Sequence, residues 1–177
     1  MLVGEKTRQV VRRFEARIAR DPGDAEVHRD MGLWWHWSLL YAKASRRFDR
    51  AVELDPGFAY ALCARASLLA TCPDPAYCDG EAAVRDAAAA IARARAAREL
   101  TTNWTHRMLL ETLAAALAER GDFGAAAEVE REALRFCITR ISEETARARI
   151  AQFQRGGRLR LDAGLVRSGV SCRPPAG

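Results

Sequence analysis

At 177 residues, 49% apolar and 29% charged, the chain is long enough for one soluble globular domain with a real core and short for two. No run of about 18 apolar residues is present to span a membrane, and MLVGEKTRQVVRRFEARIAR at the N-terminus lacks the uninterrupted apolar stretch of a secretion signal, so a cytoplasmic location is expected. The net charge of +5 is local: from Thr145 onward seven arginines stand against one acid, Asp162, a balance of +6 that leaves −1 for everything before it.

Residues 6–20 read as a helix that ends at Asp21-Pro22-Gly23. The same tripeptide returns as Asp55-Pro56-Gly57, 34 residues later, and each copy closes one helix-patterned segment and precedes another. Proline lacks the N–H that a helix needs and its ring collides with the preceding turn, while glycine tolerates left-handed backbone, so Asp-Pro-Gly punctuates the pattern. Between the copies, DAEVHRDMGLWWHWSLLYAKASRRFDRAVEL predicts a pair of helices. A second pair is expected at residues 59–70 and 81–100, joined by the loop TCPDPAYCDG. A third runs over residues 105–136, broken at Gly121-Asp122-Phe123. A last helix has Ser142 as its expected N-cap, an apolar stripe of Ala146, Ile150 and Phe153, and a Gly156-Gly157 stop.

The segment between the two Asp-Pro-Gly marks resembles a tetratricopeptide repeat. With Ala25 as the first of 34 slots, Met31, Gly32, Trp35, Ala44, Phe48, Ala51 and Pro56 fall on the slots that carry that family's signature. Small residues at Gly32, Ala44 and Ala51 let two antiparallel helices approach, and Trp35 and Phe48 fill the space beside them. The resemblance implies an all-α fold, a right-handed solenoid of antiparallel helix pairs: a half repeat at 5–22, repeats at about 25–58, 59–100 and 105–138, a capping helix at 142–155, and a basic, partly disordered tail at 156–177. The chain is thereby expected to begin inside a repeat, as a piece of a longer polypeptide or with its start placed late. Leu39 departs from the pattern where a small turn residue is usual, and Glu130 where an aromatic is usual. LLATCPDPAYCDGEAAV and ETLAAALAERGDFGAAAEVEREAL are similar to a subtype common in large bacterial multidomain proteins, notably planctomycete ones, where such arrays sit beside protein kinase modules. Extra residues between Ala94 and Asn103 are expected to lengthen the alanine-rich helix by about two turns.

Several motifs invite chemistry. Cys72 and Cys78 are spaced too widely for a zinc knuckle or a redox Cys-x-x-Cys, and the five cysteines, odd in number and scattered, suit unpaired thiols in a reducing compartment. Asp74, Asp79 and Glu81 cluster, but prolines interrupt any calcium loop, and helix capping is the simpler role. Trp34, Trp35, His36 and Trp37 are consecutive, so on a helix they point about 100° apart and cannot form one patch. No partner acid, nucleophile or second ligand is assignable to His36, so no catalytic residue, cofactor or metal site is expected.

In the tetratricopeptide register, a concave groove would be lined by Glu26, Arg29, Leu33, His36 and Trp37 from the first full repeat. Tyr60, Cys63 and Ser67 follow from the second, and Met108, Glu111 and Ala115 from the third. The resemblance thus implies a non-catalytic protein–protein interaction scaffold that holds a protein or peptide partner. Leu33 occupies a slot where a clamp for C-terminal carboxylates wants asparagine, which argues against a chaperone-tail receptor. Two alternatives stand beside this: a C-terminal or detached regulatory module of a bacterial signalling protein such as a Ser/Thr kinase, and RNA or phosphate binding through the arginine tail. The tail has no interleaved aromatics and no groove-reading helix, which argues against nucleic acid.

Overall fold

A computed structural model of the chain describes residues 2–97 and 102–161. Among them are eight α-helices and no strand: α1 (Leu2–Arg20), α2 (Ala25–Trp37), α3 (Tyr41–Leu54), α4 (Ala59–Thr71), α5 (Gly80–Ala96), α6 (Asn103–Arg120), α7 (Phe123–Leu134) and α8 (Arg140–Gln154). A 3₁₀ turn, Pro75–Tyr77, joins α4 to α5. Each helix packs on the next in chain order, most extensively within the pairs α2–α3, α4–α5 and α6–α7. In addition α2 touches α4 and α4 touches α6, whereas no two of α1, α3, α5 and α7 make more than marginal contact. The first helices of the pairs therefore form a continuous row.

Local chemistry explains the boundaries. In both Asp-Pro-Gly turns the aspartate side chain accepts from the glycine N–H two residues on, at 3.0 Å for Asp21 and 2.8 Å for Asp55. Asp24 caps α2 through the Val27 N–H, and Asp79 caps α5 through the Ala82 N–H. Gly121, at φ 103°, ends α6 in the left-handed conformation, and the Asp122 N–H reaches back to the Leu117 carbonyl at 2.8 Å. The N-cap of α8 is Thr139 and not Ser142. Thr139 accepts from the Ser142 N–H and Ser142 answers to the Thr139 N–H, so the serine is the far side of a reciprocal capping box, three residues inside the helix. The alanine-rich α5 ends at Ala96, short of the expected residue 100; residues 98–101 fall outside the described ones.

The second helices repeat one another closely. In α3, α5 and α7 the fourth and eleventh residues are alanines with no exposed surface: Ala44 and Ala51, Ala83 and Ala90, Ala126 and Ala133. The first helices meet them with small buried residues: Gly32 lies against Phe48, Ala66 clusters with Ala83 and Ala114 with Ala126. A Cβ on Gly32 would stand 2.6 Å from the Phe48 ring, so glycine there is what lets α3 lie close to α2. At Gly80 a Cβ would meet the Arg120 backbone at 2.5 Å, which fixes the crossing of the start of α5 and the end of α6.

The core changes character along the array. Its first cluster is aromatic and aliphatic, with Met31, Trp35, Phe48, Leu68 and Cys72 packed against Val11, Phe14 and Ile18 of α1. Farther on, Ala66, Ala70, Ala83, Ala87, Ala115 and Ala116 form a cluster almost wholly of alanine. Residues 156–161, expected to belong to a loose tail, instead lie against the helices: the Leu161 N–H donates to the Thr71 carbonyl at 2.8 Å, and Leu159 packs on two core clusters. The remainder of that tail, residues 162–177 with Arg167, Cys172 and Arg173, lies outside the described residues.

Candidate functional site

The row α2–α4–α6 carries every residue expected to line a groove, and the structure divides them. Arg29 extends its guanidinium over the ring of Phe58, 5.1 Å from its centre, and Phe58 meets Tyr60 edge-on at 6.3 Å. Arg29 is steadied by Asp30 at 2.7 Å. A strip of cation and aromatic rings thus joins the N-terminal parts of α2 and α4, with exposed Glu26 beside it. Leu33 is half-buried and packs on the first core cluster, while Trp37 and Ser67 are half-buried. In the third pair Met108 and Glu111 are half-buried and Ala115 is buried.

With Ala115, three of the expected groove residues are not on an open face. His36 is 3% exposed, its ring edge-on to Tyr41 and Phe48 at 6.2 Å each, and burial pushes its pKa down to about 4. It is a neutral core side chain. Cys63 is 4% exposed, with its Sγ 3.3 Å from Thr112 Oγ1 of α6. The sequence held the signal for His36: its counterparts in the 34-slot register, Ala70 and Ala118, are alanines, the residue of choice for a closed contact, and both are fully buried.

Sequence reasoning missed the charged groups inside the array. Arg65 of α4 holds Asp86 of α5 with two bonds, 2.7 and 3.0 Å, and reaches Asp49 of α3 at 3.3 Å, tying three helices together. His28 is buried against Arg47 of α3 at 3.2 Å, and burial together with that positive charge pushes its pKa down. Glu130 of α7 has no exposed surface, and neither carboxylate oxygen has a hydrogen-bond partner among the described residues. Arg149 of α8 stands 3.5 Å from it and 3.2 Å from Glu111, which Arg107 approaches at 3.7 Å. Burial pushes Glu130 up to about 7 against the pull of Arg149. Apart from Arg107–Glu111, four residues apart on α6, these pairings join residues far apart in the chain, and no local spacing announces them.

The Cys72–Cys78 loop is closed by its own backbone. Cys72 is buried at the end of α4, and Cys78 Sγ lies 3.2 Å from the Cys72 carbonyl oxygen. Burial pushes both thiols up, away from the reactive thiolate form. Among the described residues no three of His, Cys, Asp or Glu converge as a metal site would require. No helix among them is long and apolar enough to cross a membrane. Of the tail arginines, Arg158 and Arg160 both approach Glu119 of α6. No protein-family model, curated protein or solved structure matches the chain.

Proposed function

We propose that the chain is a tetratricopeptide-type right-handed solenoid and works as a non-catalytic interaction scaffold, holding a segment of a partner protein along the concave face made by α2, α4 and α6. The observation that carries this reading is the strip from Arg29 across Phe58 to Tyr60. It spans two successive first helices and offers charge, ring faces and a phenol to one bound segment. Trp37, half-buried at the end of α2, extends the same row. Packed helix pairs give a long surface without a rigid catalytic centre, and the three groove residues withdrawn into the core leave Glu26, Arg29, Leu33, Trp37, Tyr60, Ser67, Met108 and Glu111 as its contacts.

Peptides selected for binding to the intact chain test this. Affinity for the Arg29→Glu, Trp37→Ala double variant, verified as helical by circular dichroism, is expected to fall at least about tenfold, the usual consequence of losing anchor residues. Undiminished affinity of every selected peptide would overturn the groove assignment.

A further inference from the structure

We infer that the C-terminal end of the array carries a proton-operated latch, in which α8 stays docked on α7 while the buried carboxyl group of Glu130 is neutral and loosens once it ionises. The geometry is that of a buried acid without solvent. Glu130 lies on the buried side of α7 with Ala126 and Ala133, between α6 and α8; among the described residues neither of its oxygens accepts a hydrogen bond, and Arg149 stands 3.5 Å away. A carboxylate in such a place lacks the three or four donors it would have in water, whereas a protonated carboxyl loses far less on burial.

The charged groups facing it come from both neighbouring helices. From α6 come Glu111, which repels a carboxylate, and Arg107, which attracts it more weakly than Arg149 does; from α8 comes Arg149. On α7 itself Glu128 and Arg131 are engaged with each other at 2.5 Å. Arg149 is shared, closer to Glu111 than to Glu130, so ionising Glu130 sets two carboxylates in competition for that guanidinium. Moving α8 aside lets water reach the carboxylate and relieve that competition. α8 is the last of the described helices: it packs on α7, its Phe153 clusters with Ala126 and Ala127 of α7 and with Ala114, Leu117 and Ala118 of α6, and its exposed face carries the ion pairs Arg140–Glu144 and Arg147–Glu143. The upward push on Glu130, to about 7, sets the range over which the latch works. The latch stands whether or not a partner uses the row α2–α4–α6.

Hydrogen exchange of the whole chain, read by mass spectrometry at pH 6 and pH 8 and corrected for the intrinsic exchange rate, tests it. Protection of α8 is expected to fall about tenfold from pH 6 to pH 8 in the wild type while α2 and α3 hold theirs, and to stay level in Glu130→Gln. Equal protection of wild-type α8 at both pH values, or the same fall in Glu130→Gln, would overturn the latch. Carboxyl-carbon NMR titration of the unaltered protein gives a reading independent of that variant's folding: one glutamate with a midpoint near 7 is expected. If every glutamate titrated in the ordinary range near 4.3, the latch would be excluded.

Discussion

The second helix of the first pair and the second helix of the third pair are built on one plan and filled with opposite chemistry. In both α3 and α7 the fourth and eleventh residues are fully buried alanines, and the eighth is a fully buried large side chain. That eighth residue is Phe48 in α3 and Glu130 in α7. Phe48 fills a space kept open by Gly32 and stands edge-on to His36, and no proton changes its fit. Glu130 fills the equivalent space with a group whose burial depends on its protonation. The backbone register decides which positions are inside; it does not decide what the inside tolerates, and that is set by neighbours such as Arg149 that arrive from another helix.

The sharpest way to break this comparison is to alter the two eighth positions. Phe48→Ala is expected to cost about 3–5 kcal/mol in urea unfolding, the usual range for removing a buried phenyl and leaving its cavity. Glu130→Leu, of similar volume, is expected to gain about 2 kcal/mol at pH 8, since an apolar replacement relieves a poorly solvated charge while Arg149 keeps Glu111. A destabilised Glu130→Leu at that pH would mean that the ion pair with Arg149 outweighs the cost of burying the carboxylate.

Most of the helical framework was legible because it rests on short-range chemistry. Asp-Pro-Gly turns, Gly121, Gly156 and alanines at fixed spacing act within a few residues of themselves, and the helices start and stop close to where those residues dictate. The misreadings arose where two caps lay close together or where the outcome depended on a distant partner. Ser142 and Thr139 are both good caps, and the reciprocal bonds between them decide in favour of the earlier one. Slot position alone places His36 and Cys63 in the groove, but Tyr41 and Phe48 close over the first and Thr112 of α6 covers the second. The docking of residues 156–161 on the ends of α4 and α6 follows from contacts with Thr71 and Glu119 that no composition reveals.

A smaller test addresses the turn that joins α2 to α3. Leu39 is the one non-glycine residue at positive φ among those described, at 61°, in a turn where the sequence pattern called for a small residue. Left-handed backbone costs an ordinary L-residue about 1–2 kcal/mol, and glycine gives back part of that relief through the entropy of the unfolded chain. Leu39→Gly is expected to stabilise the protein by about 0.5 kcal/mol in urea unfolding. A loss of stability would show that the half-buried leucine side chain contributes more packing than the turn costs in strain.

His36 and Glu130 give the two ends of the molecule opposite responses to pH. Burial lowers His36 from 6.5 to about 4, so the stability tied to its neutral form is complete above 6.5 and is lost as pH falls towards 4. Burial raises Glu130 from 4.5 to about 7, so the stability tied to its neutral form is complete below 4.5 and is lost as pH rises towards 7. Between pH 4.5 and 6.5 the two slopes, each about 1.4 kcal/mol per pH unit, cancel in the wild type. Urea unfolding of His36→Leu and of Glu130→Gln across that window separates them, since every other titrating group is common to both. Relative to wild type, the stability of His36→Leu is predicted to fall with rising pH and that of Glu130→Gln to rise; parallel profiles in the two variants would contradict the account.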